Sequence, residues 1–294
     1  MGPRFAAMGR EYMYFRFSVD TTATLGAMFD LVAHGPDTYV GTGPQYPWGG
    51  LYGGQIVAQA LRAAALSVEP DFRPHSIRAY FIRRGDADEP VRYEIDRIRN
   101  GRSFVTRRVV ARQAIGAILN AEVSFQRPEE SLRMQPIPMP DVPGPDEFAN
   151  VSFSARFDRR DVPRAVLAGS PRDGAGRQVA WFRALDDLAA VPPGDASLLH
   201  ECWLAYISDD QPTGVVFDAM REVDPTLDGS NAMSVSLDHT IWYHHPMRAD
   251  AWHLIDMSCH HVGGARGLAF GHVFTPEGGH VASFAQEVLV RAPT

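Results

Sequence analysis

The feature that most limits the possible folds of this chain is a partial internal repeat. Residues 75–126 and 238–287 are of similar length, and each segment opens with a His followed by a pair of aromatic residues. Each then passes through a turn, two alternating strand-like runs and a second turn, and ends in a run that contains a Gln, Gln126 or Gln286. A repeat separated by about half the chain predicts two copies of one fold unit in a single polypeptide.

The composition is that of an ordinary globular protein with one large or two average domains. The chain has 294 residues, of which 45% are hydrophobic and 21% are charged. Its net charge of −7 argues against nucleic acid as the main partner, because phosphate binding requires a basic surface. No apolar run reaches the roughly 18 residues of a membrane span, and the N-terminal segment lacks the apolar core of a secretion signal. We therefore expect a cytoplasmic protein without a membrane partner.

Scarce residue types exclude several kinds of chemistry. All 28 basic residues are Arg, so lysine nucleophiles and Schiff bases are excluded. Cys202 and Cys259 are too few for a disulfide framework or a Cys-rich metal site.

The spacing of the histidines gives no metal site or catalytic triad. Adjacent His residues such as His244-His245 point to opposite faces of a strand, so no metal site is predicted. His239 stands beside Asp238, but the lack of a Gly-x-Ser-x-Gly motif argues against a serine hydrolase.

The first half of the chain predicts a helix followed by a run of antiparallel strands. A first strand is predicted within residues 36–44, and a Gly-rich turn ending at Gly54 leads into a small-residue helix over 55–68. Turn residues then separate four predicted strands, at 74–84, 90–99, 103–113 and 116–126. This order predicts one antiparallel sheet wrapped around a single helix.

The same order of elements returns in the second half. A strand is predicted at 178–184 and a helix at 195–209, with Asp195 or Ser197 as its N-cap. Four further strands are predicted at 232–244, 252–260, 266–275 and 279–291.

A proline-rich segment separates the two halves. Residues 128–145 contain six prolines, which exclude an interior strand or helix, and residues 146–176 are expected to be irregular. The predicted domains are accordingly an N-terminal unit over 1–127, a linker over 128–176 and a C-terminal unit over 177–294.

Several short motifs, in this order and spacing, resemble the acyl-CoA thioesterases of the type II, double-hotdog kind. Together they cover most of the chain outside residues 128–176. In the first half the motifs are Gly53-Gly54-Gln55, His75-Ser76, Tyr80-Phe81, Arg83-Arg84-Gly85, Arg102-Ser103-Phe104, Arg107-Arg108-Val109 and Ser124-Phe125-Gln126. In the second half they are Leu237-Asp238-His239, Trp242-Tyr243-His244, Ala265-Arg266-Gly267, Val281-Ala282-Ser283 and Gln286-Glu287.

The resemblance implies an α+β fold of two tandem hotdog units, each an antiparallel sheet wrapped around a long helix. It implies hydrolysis of acyl-CoA thioesters without a covalent acyl-enzyme and without a cofactor. A homodimer of such chains is compatible with it. Neither the length nor the branching of the acyl chain follows from the sequence.

The resemblance also implies a water-activating trio of an Asp on the second helix, a hydroxyl on the next strand and a Gln on the last strand. These positions fall on Asp209, Ser236 and Gln286. Asp210 follows directly, so the choice between the two carboxylates stays open. Ser236 stands where the family commonly has Thr, which preserves the hydroxyl group.

The difference between the two repeats predicts one site per chain. Residues 41–68, which contain the first helix, include no Asp or Glu, whereas the second helix is predicted to end on Asp209. We expect the substrate-binding segment Gly53, Gly54 and Gln55 to face that carboxylate. Glycine allows a close approach to the backbone, and the N-terminus of a helix favours developing negative charge.

Two other functions remain open at this point. A hotdog hydratase or dehydratase would require a paired His and Asp near a helix start, and neither predicted helix start offers one. A non-catalytic or weakly active acyl-CoA-binding protein would keep the fold and lose turnover; Gln211-Pro212 departs from the family's apolar continuation. The Arg residues between Arg83 and Arg112 are either phosphate ligands of CoA or solvated strand residues.

Overall fold

The two repeats share one antiparallel sheet. The computed structural model describes residues 25–46, 48–167, 176–185, 193–227 and 232–291. In these ranges the strands are β1 (Val32–Ala33), β2 (Thr38–Gly41), β3 (Arg73–Phe81), β4 (Val91–Asn100), β5 (Phe104–Gln113), β6 (Gly116–Gln126), β7 (Phe157–Asp161), β8 (Arg177–Ala184), β9 (Met233–Ser236), β10 (Asp238–Tyr243), β11 (His253–Gly263), β12 (Arg266–Phe274) and β13 (His280–Arg291). The α-helices are α1 (Leu25–Met28), α2 (Gly53–Ala65), α3 (Arg164–Leu167), α4 (Pro193–Ile207) and α5 (Pro212–Arg221).

The order of strands divides the sheet into two halves that match the halves of the chain. The first half runs β1-β2-β4-β5-β6-β3 and the second runs β10-β13-β12-β11-β8-β7, while β9 pairs with β13. The halves join where β3 pairs with β10, from Ser76 opposite Trp242 to Tyr80 opposite Asp238. The helices α2 and α4 also pack against each other. Two antiparallel units, each with one long helix, are therefore confirmed, and their strands form one continuous sheet.

Helix α2 forms the centre of the first unit because its residues are small and apolar. Ten of its thirteen residues are buried, and its alanines allow close packing against the sheet and against α4. At its C-terminal end the buried Arg107 donates hydrogen bonds to the hydroxyl and carbonyl oxygens of Ser67. A cation in this position also complements the negative end of the helix dipole.

Most predicted strands lie within three residues of their observed limits. The short elements α1 and β1 of the first unit were not predicted, and the larger differences lie after residue 145. The segment 146–176 was predicted to be irregular, which is wrong for β7 and α3; β7 pairs with β8. The helix α5 was not predicted, although Pro212 occupies its first turn, where proline's missing N–H costs no hydrogen bond. Helix α4 spans Pro193–Ile207, so Asp209 lies two residues beyond it. The predicted N-caps Asp195 and Ser197 are wrong, because both positions lie within the helix rather than before it.

The predicted strand at 232–244 is interrupted by a β-bulge. Ser236 lies opposite Val288, and Thr240 lies opposite Ala285. Four steps along β9 and β10 therefore match only three steps along β13, so one extra residue is inserted near Leu237. A bulge of this kind changes the face to which the following side chains point. Within the described residues, no helix is long and apolar enough to cross a lipid bilayer.

Candidate active site

The carboxylate of Asp209 lies at the N-terminus of the other unit's long helix. Asp209 follows α4 in a turn, and the backbone N–H of Gly54 in α2 donates a hydrogen bond to its carboxylate. A Cβ atom added to Gly53 would lie 2.5 Å from Asp209 Oδ2. Glycine is therefore required at position 53 for this approach, and the positive end of the α2 dipole favours the negative charge.

Ser236 and Gln286 hold the same carboxylate from the opposite side. The Ser236 hydroxyl donates to Asp209 Oδ1 over 3.1 Å, and Gln286 Nε2 donates to Ser236 Oγ over 2.7 Å. Gln286 is fully buried, and only 8% of Asp209 is exposed. The structure thus brings together the three residues that the sequence nominated as a catalytic trio.

The environment of Asp209 shifts the pKa of its carboxyl group towards neutral pH. Burial raises the pKa of Asp209 from 3.8 to about 7. Hydrogen bonds from Ser236, Gln286 and the Gly54 backbone oppose that rise, and the neighbouring Asp210 adds to it. A carboxylate with a pKa near the working pH is well suited to accept and return a proton.

Asp210 is held in a different interaction from its neighbour. Arg159 Nη1 lies 3.0 Å from Asp210 Oδ2, and its Nε lies 2.8 Å from Asp161 Oδ1. Both side chains of the Arg159–Asp210 pair are largely buried, with exposed fractions of 5% and 9%. The two adjacent carboxylates therefore have different partners. Asp210 pairs with Arg159, whereas Asp209 contacts Ser236 and the N-terminus of α2.

Replacing Asp210 by Asn is expected to lower stability. The change leaves the buried guanidinium of Arg159 with one charged partner fewer, which we expect to cost about 3 kcal/mol in the free energy of unfolding. Urea denaturation followed by circular dichroism measures this cost. Asp161→Asn is the matched control, since Asp161 is 45% exposed and should contribute less. Equal losses for the two variants would contradict the assignment.

Gly54 and Gln55 lie where α2 meets α4. A Cβ atom at Gly54 would overlap the carbonyl oxygen of Tyr206, so glycine is needed for the helices to approach. The fully buried Gln55 accepts a hydrogen bond from the Tyr46 hydroxyl over 2.8 Å, while its Nε2 has no hydrogen-bond partner. Tyr52 donates to the Tyr206 carbonyl over 2.7 Å. This expected substrate-binding segment thus adjoins Asp209 and also joins the two units.

Sequence reasoning missed two polar residues behind the trio. His239 Nδ1 lies 2.6 Å from Gln286 Oε1, and its Nε2 lies 2.7 Å from the hydroxyl of Ser208. His239 is fully buried, and burial lowers its pKa to about 4, so it is neutral. The sequence paired it with Asp238, but the Asp238 carboxylate instead accepts the backbone N–H of Glu287.

Several basic side chains of the first unit have carboxylate partners on the strands or in the turn before β2. Arg97 pairs with Asp37, Arg108 with Asp96, and Arg112 with Glu94. Arg84 instead donates to the Trp48 carbonyl over 2.6 Å, beside the loop that leads into α2. Over the described ranges, no group of three or more His, Cys, Asp or Glu side chains is arranged to hold a metal ion.

The fold and this site define a class of protein. The model of the acyl-CoA thioesterase N-terminal domain matches residues 43–126, and that of the acyl-CoA thioesterase C-terminal domain matches residues 130–290. Together they cover most of the chain, so the chain belongs to the type II acyl-CoA thioesterase family. The double-hotdog architecture expected from the sequence is thereby confirmed.

Named relatives of similar length support this membership. The chain is 34% identical over 268 residues to acyl-coenzyme A thioesterase 8 of Rattus norvegicus, covering 82% of this chain and 80% of the relative. It is 30% identical over 260 residues to acyl-CoA thioesterase 2 of Haemophilus influenzae, covering 82% and 87%. The crystal structure of an acyl-CoA thioesterase II from Mycobacterium marinum superposes with a TM-score of 0.79 at 35% identity, covering 92% of this chain and 98% of that one.

Proposed function

We propose that the protein hydrolyses acyl-CoA thioesters to a free acid and CoA, through a water molecule activated by Asp209, Ser236 and Gln286. The family assignment supports the overall reaction. The observation that carries the site is the buried Asp209 carboxylate, which meets the α2 N-terminus on one side and Ser236 on the other. We expect one such site per chain.

The geometry supports direct attack by water. The ionised Asp209 removes a proton from the water while the water oxygen bonds to the thioester carbonyl carbon. The carbonyl oxygen becomes negative and is stabilised by the positive end of α2, next to Gly53. Collapse of the intermediate breaks the carbon–sulfur bond, and the CoA thiolate recovers the proton from Asp209. No side chain of the protein forms a covalent bond with the acyl group.

Gln286 and Ser236 contribute without changing their charge. Gln286 donates to Ser236, and Ser236 donates to Asp209, so the carboxylate is held in place through neutral groups. We expect the same groups to orient the attacking water, because positioning of a reactant supplies a large part of enzymatic rate acceleration.

The hydratase alternative is less consistent with the arrangement. A hydratase needs its His and Asp to face the substrate together. His239 is fully buried, and Gln286 and Ser236 stand between it and Asp209. This geometry favours hydrolysis. Turnover of enoyl-CoA to hydroxyacyl-CoA in the absence of thiol release would contradict the proposal.

Hydrolysis is tested with a panel of acyl-CoAs and a disulfide reagent that reports the released CoA thiol. We expect turnover for at least one chain length, with kcat/KM rising with pH through an apparent pKa near 7, because Asp209 must be ionised to act as a base. Acyl-CoA binding without turnover would identify a binding protein instead. A rate that falls as pH rises through 7 would contradict the role of Asp209.

Three features beyond the site remain proposals. We propose that the chains form a homodimer, with which the family resemblance is compatible; light scattering after size-exclusion chromatography tests this directly. We also propose that the protein acts in the cytoplasm. The division into units at 1–127 and 177–294 likewise remains a proposal. Strand β7 at Phe157–Asp161 lies before residue 177, so the second half of the sheet starts earlier in the chain than this division.

A further inference from the structure

Five polar side chains from three segments form a series of four hydrogen bonds, which the peptide bond between Ser208 and Asp209 closes into a ring. Ser208 and Asp209 are consecutive residues after α4, Ser236 and His239 flank the bulge between β9 and β10, and Gln286 lies on β13. Ser208, His239 and Gln286 are at most 1% exposed, so water does not supply alternative partners for these groups.

The ionised carboxylate fixes the direction of every hydrogen bond in this ring. A carboxylate only accepts, so Ser236 must donate its single proton to Asp209. Ser236 Oγ then accepts from Gln286 Nε2, which turns Gln286 Oε1 towards His239. His239 Nδ1 must therefore carry the ring proton, and Nε2 accepts from Ser208.

The bulge is what allows two residues of one strand to reach Gln286. Ser236 and His239 are three positions apart, and in a regular strand such residues point to opposite faces. The extra residue near Leu237 turns them to the same side, where they contact the two ends of one side-chain amide. A regular strand would leave one end of the Gln286 amide without its partner.

We propose that His239, supported by Ser208, is a positioning residue that fixes the side-chain amide of Gln286 with its N–H towards Ser236. If the Gln286 amide rotated by half a turn, its oxygen would face Ser236. The Ser236 hydroxyl would then donate its proton to Gln286 instead of to Asp209. The carboxylate then loses a donor, and the group that orients the water changes from donor to acceptor. His239 prevents this rotation by donating to Gln286 Oε1.

The charged and titratable neighbours of Asp209 bear on how the ring is tested. Asp210 adjoins it in sequence and is paired with Arg159, while the buried hydroxyl of Tyr52 approaches from the α2 side. Asp238 and Glu287 flank the bulge and β13. None of these groups is changed by substitutions at His239, so a change in the pKa of Asp209 in such variants reports on the ring.

The inference is tested first without substrate by NMR on the full chain, with the tautomer determined at a pH above 8 and the pKa obtained from a pH titration. Labelling of the His imidazole nitrogens is expected to show the Nδ1–H tautomer for His239. Labelling of the Asp carboxyl carbons is expected to show a higher pKa for Asp209 in His239→Leu, because the Gln286 donor opposes the burial-induced rise. In His239→Asn the amide nitrogen replaces Nδ1, so the pKa of Asp209 should stay near that of the wild type. An Nε2–H tautomer in the wild type overturns the inference, even if both variants fail to fold.

The kinetic arm rests on the proposed hydrolysis. We expect His239→Leu to lower kcat by about 100-fold with little change in KM, since a small misplacement of a positioned group has effects of that size. His239→Asn should recover most of the loss. His253→Leu is the matched control, because His253 is also buried and its side chain hydrogen-bonds the Ala251 carbonyl within its own segment; its kcat should match the wild type.

The two arms separate the inference from the proposed function. If the wild type hydrolyses no acyl-CoA but shows the expected tautomer and Asp209 pKa, the hydrolysis proposal fails and the positioning role stands. If the wild type is active and His239→Leu matches it in kcat and in the pKa of Asp209, the positioning role is wrong.

Discussion

Replacement of Asp209 by Asn is expected to abolish most acyl-CoA hydrolysis while making the folded protein more stable at pH 8. Loss of a general base lowers kcat by about 100- to 10,000-fold. The stability gain follows from burial, because the pKa of Asp209 rises from 3.8 to about 7 on folding. That rise corresponds to about 4 kcal/mol of instability above pH 7, which Asn removes.

The sign of this stability effect depends on pH. Asp209 binds its proton more tightly in the folded than in the unfolded state, so the folded state loses stability as pH rises from about 4 to 7. The variant and the wild type should therefore differ most at pH 8 and converge near pH 4. Urea denaturation at both pH values measures the difference.

Asp250→Asn is the matched control for the Asp209 variant. A hydrogen bond from Arg248 lowers the pKa of Asp250, the reverse of the shift at Asp209, so this variant should be slightly less stable and fully active. Full activity in Asp209→Asn, or loss of activity in Asp210→Asn with its fold intact, would move the base to Asp210.

Replacement of Gly53 by Ala is expected to lower kcat by about 100-fold with a small effect on stability. The new methyl group would lie 2.5 Å from Asp209 Oδ2 and 3.0 Å from the Phe81 ring, so the carboxylate must move away from the α2 N-terminus. Displacement of a catalytic group by about 1 Å has rate effects of this size. Ala favours the helix over Gly by roughly 1 kcal/mol, which offsets part of the strain.

Two other glycines give the controls for this effect. At Gly54 the added methyl group meets the Tyr206 backbone, so Gly54→Ala should chiefly lower stability through the packing of α2 on α4. At Gly144 the added methyl group meets no atom within 4 Å, so Gly144→Ala should change neither property. Wild-type kcat in Gly53→Ala would show that the approach of Asp209 to α2 is not needed for catalysis.

The features that the sequence predicts are those encoded by neighbouring residues. The strand at 116–126 and the helix after Gly54 follow from hydrophobic periodicity and local turn residues, and the structure places both close to the prediction. The repeat predicts that two such units occur, and the missing acid in residues 41–68 predicts that only one unit supplies a carboxylate. The turn and periodicity signals are local, and the repeat is visible by comparing two parts of the sequence, so none of them needs knowledge of tertiary contacts.

The features that the sequence does not predict depend on contacts between distant segments. Arg159 selects between two adjacent carboxylates by pairing with Asp210, 51 positions away. The bulge near Leu237 appears only when β10 pairs with β13, because periodicity alone is compatible with one unbroken strand. His239 was compared with its neighbour Asp238, whereas its partners Ser208 and Gln286 lie on other elements.

The most direct test of the account is a crystal structure of Asp209→Asn with an intact acyl-CoA bound. We expect the thioester carbonyl oxygen at the N-terminus of α2 beside Gly53, and a water held by Ser236 or Gln286 within about 3.5 Å of the carbonyl carbon. A thioester bound elsewhere, with residue 209 and Gln286 remote from its carbonyl carbon, would contradict the proposed site.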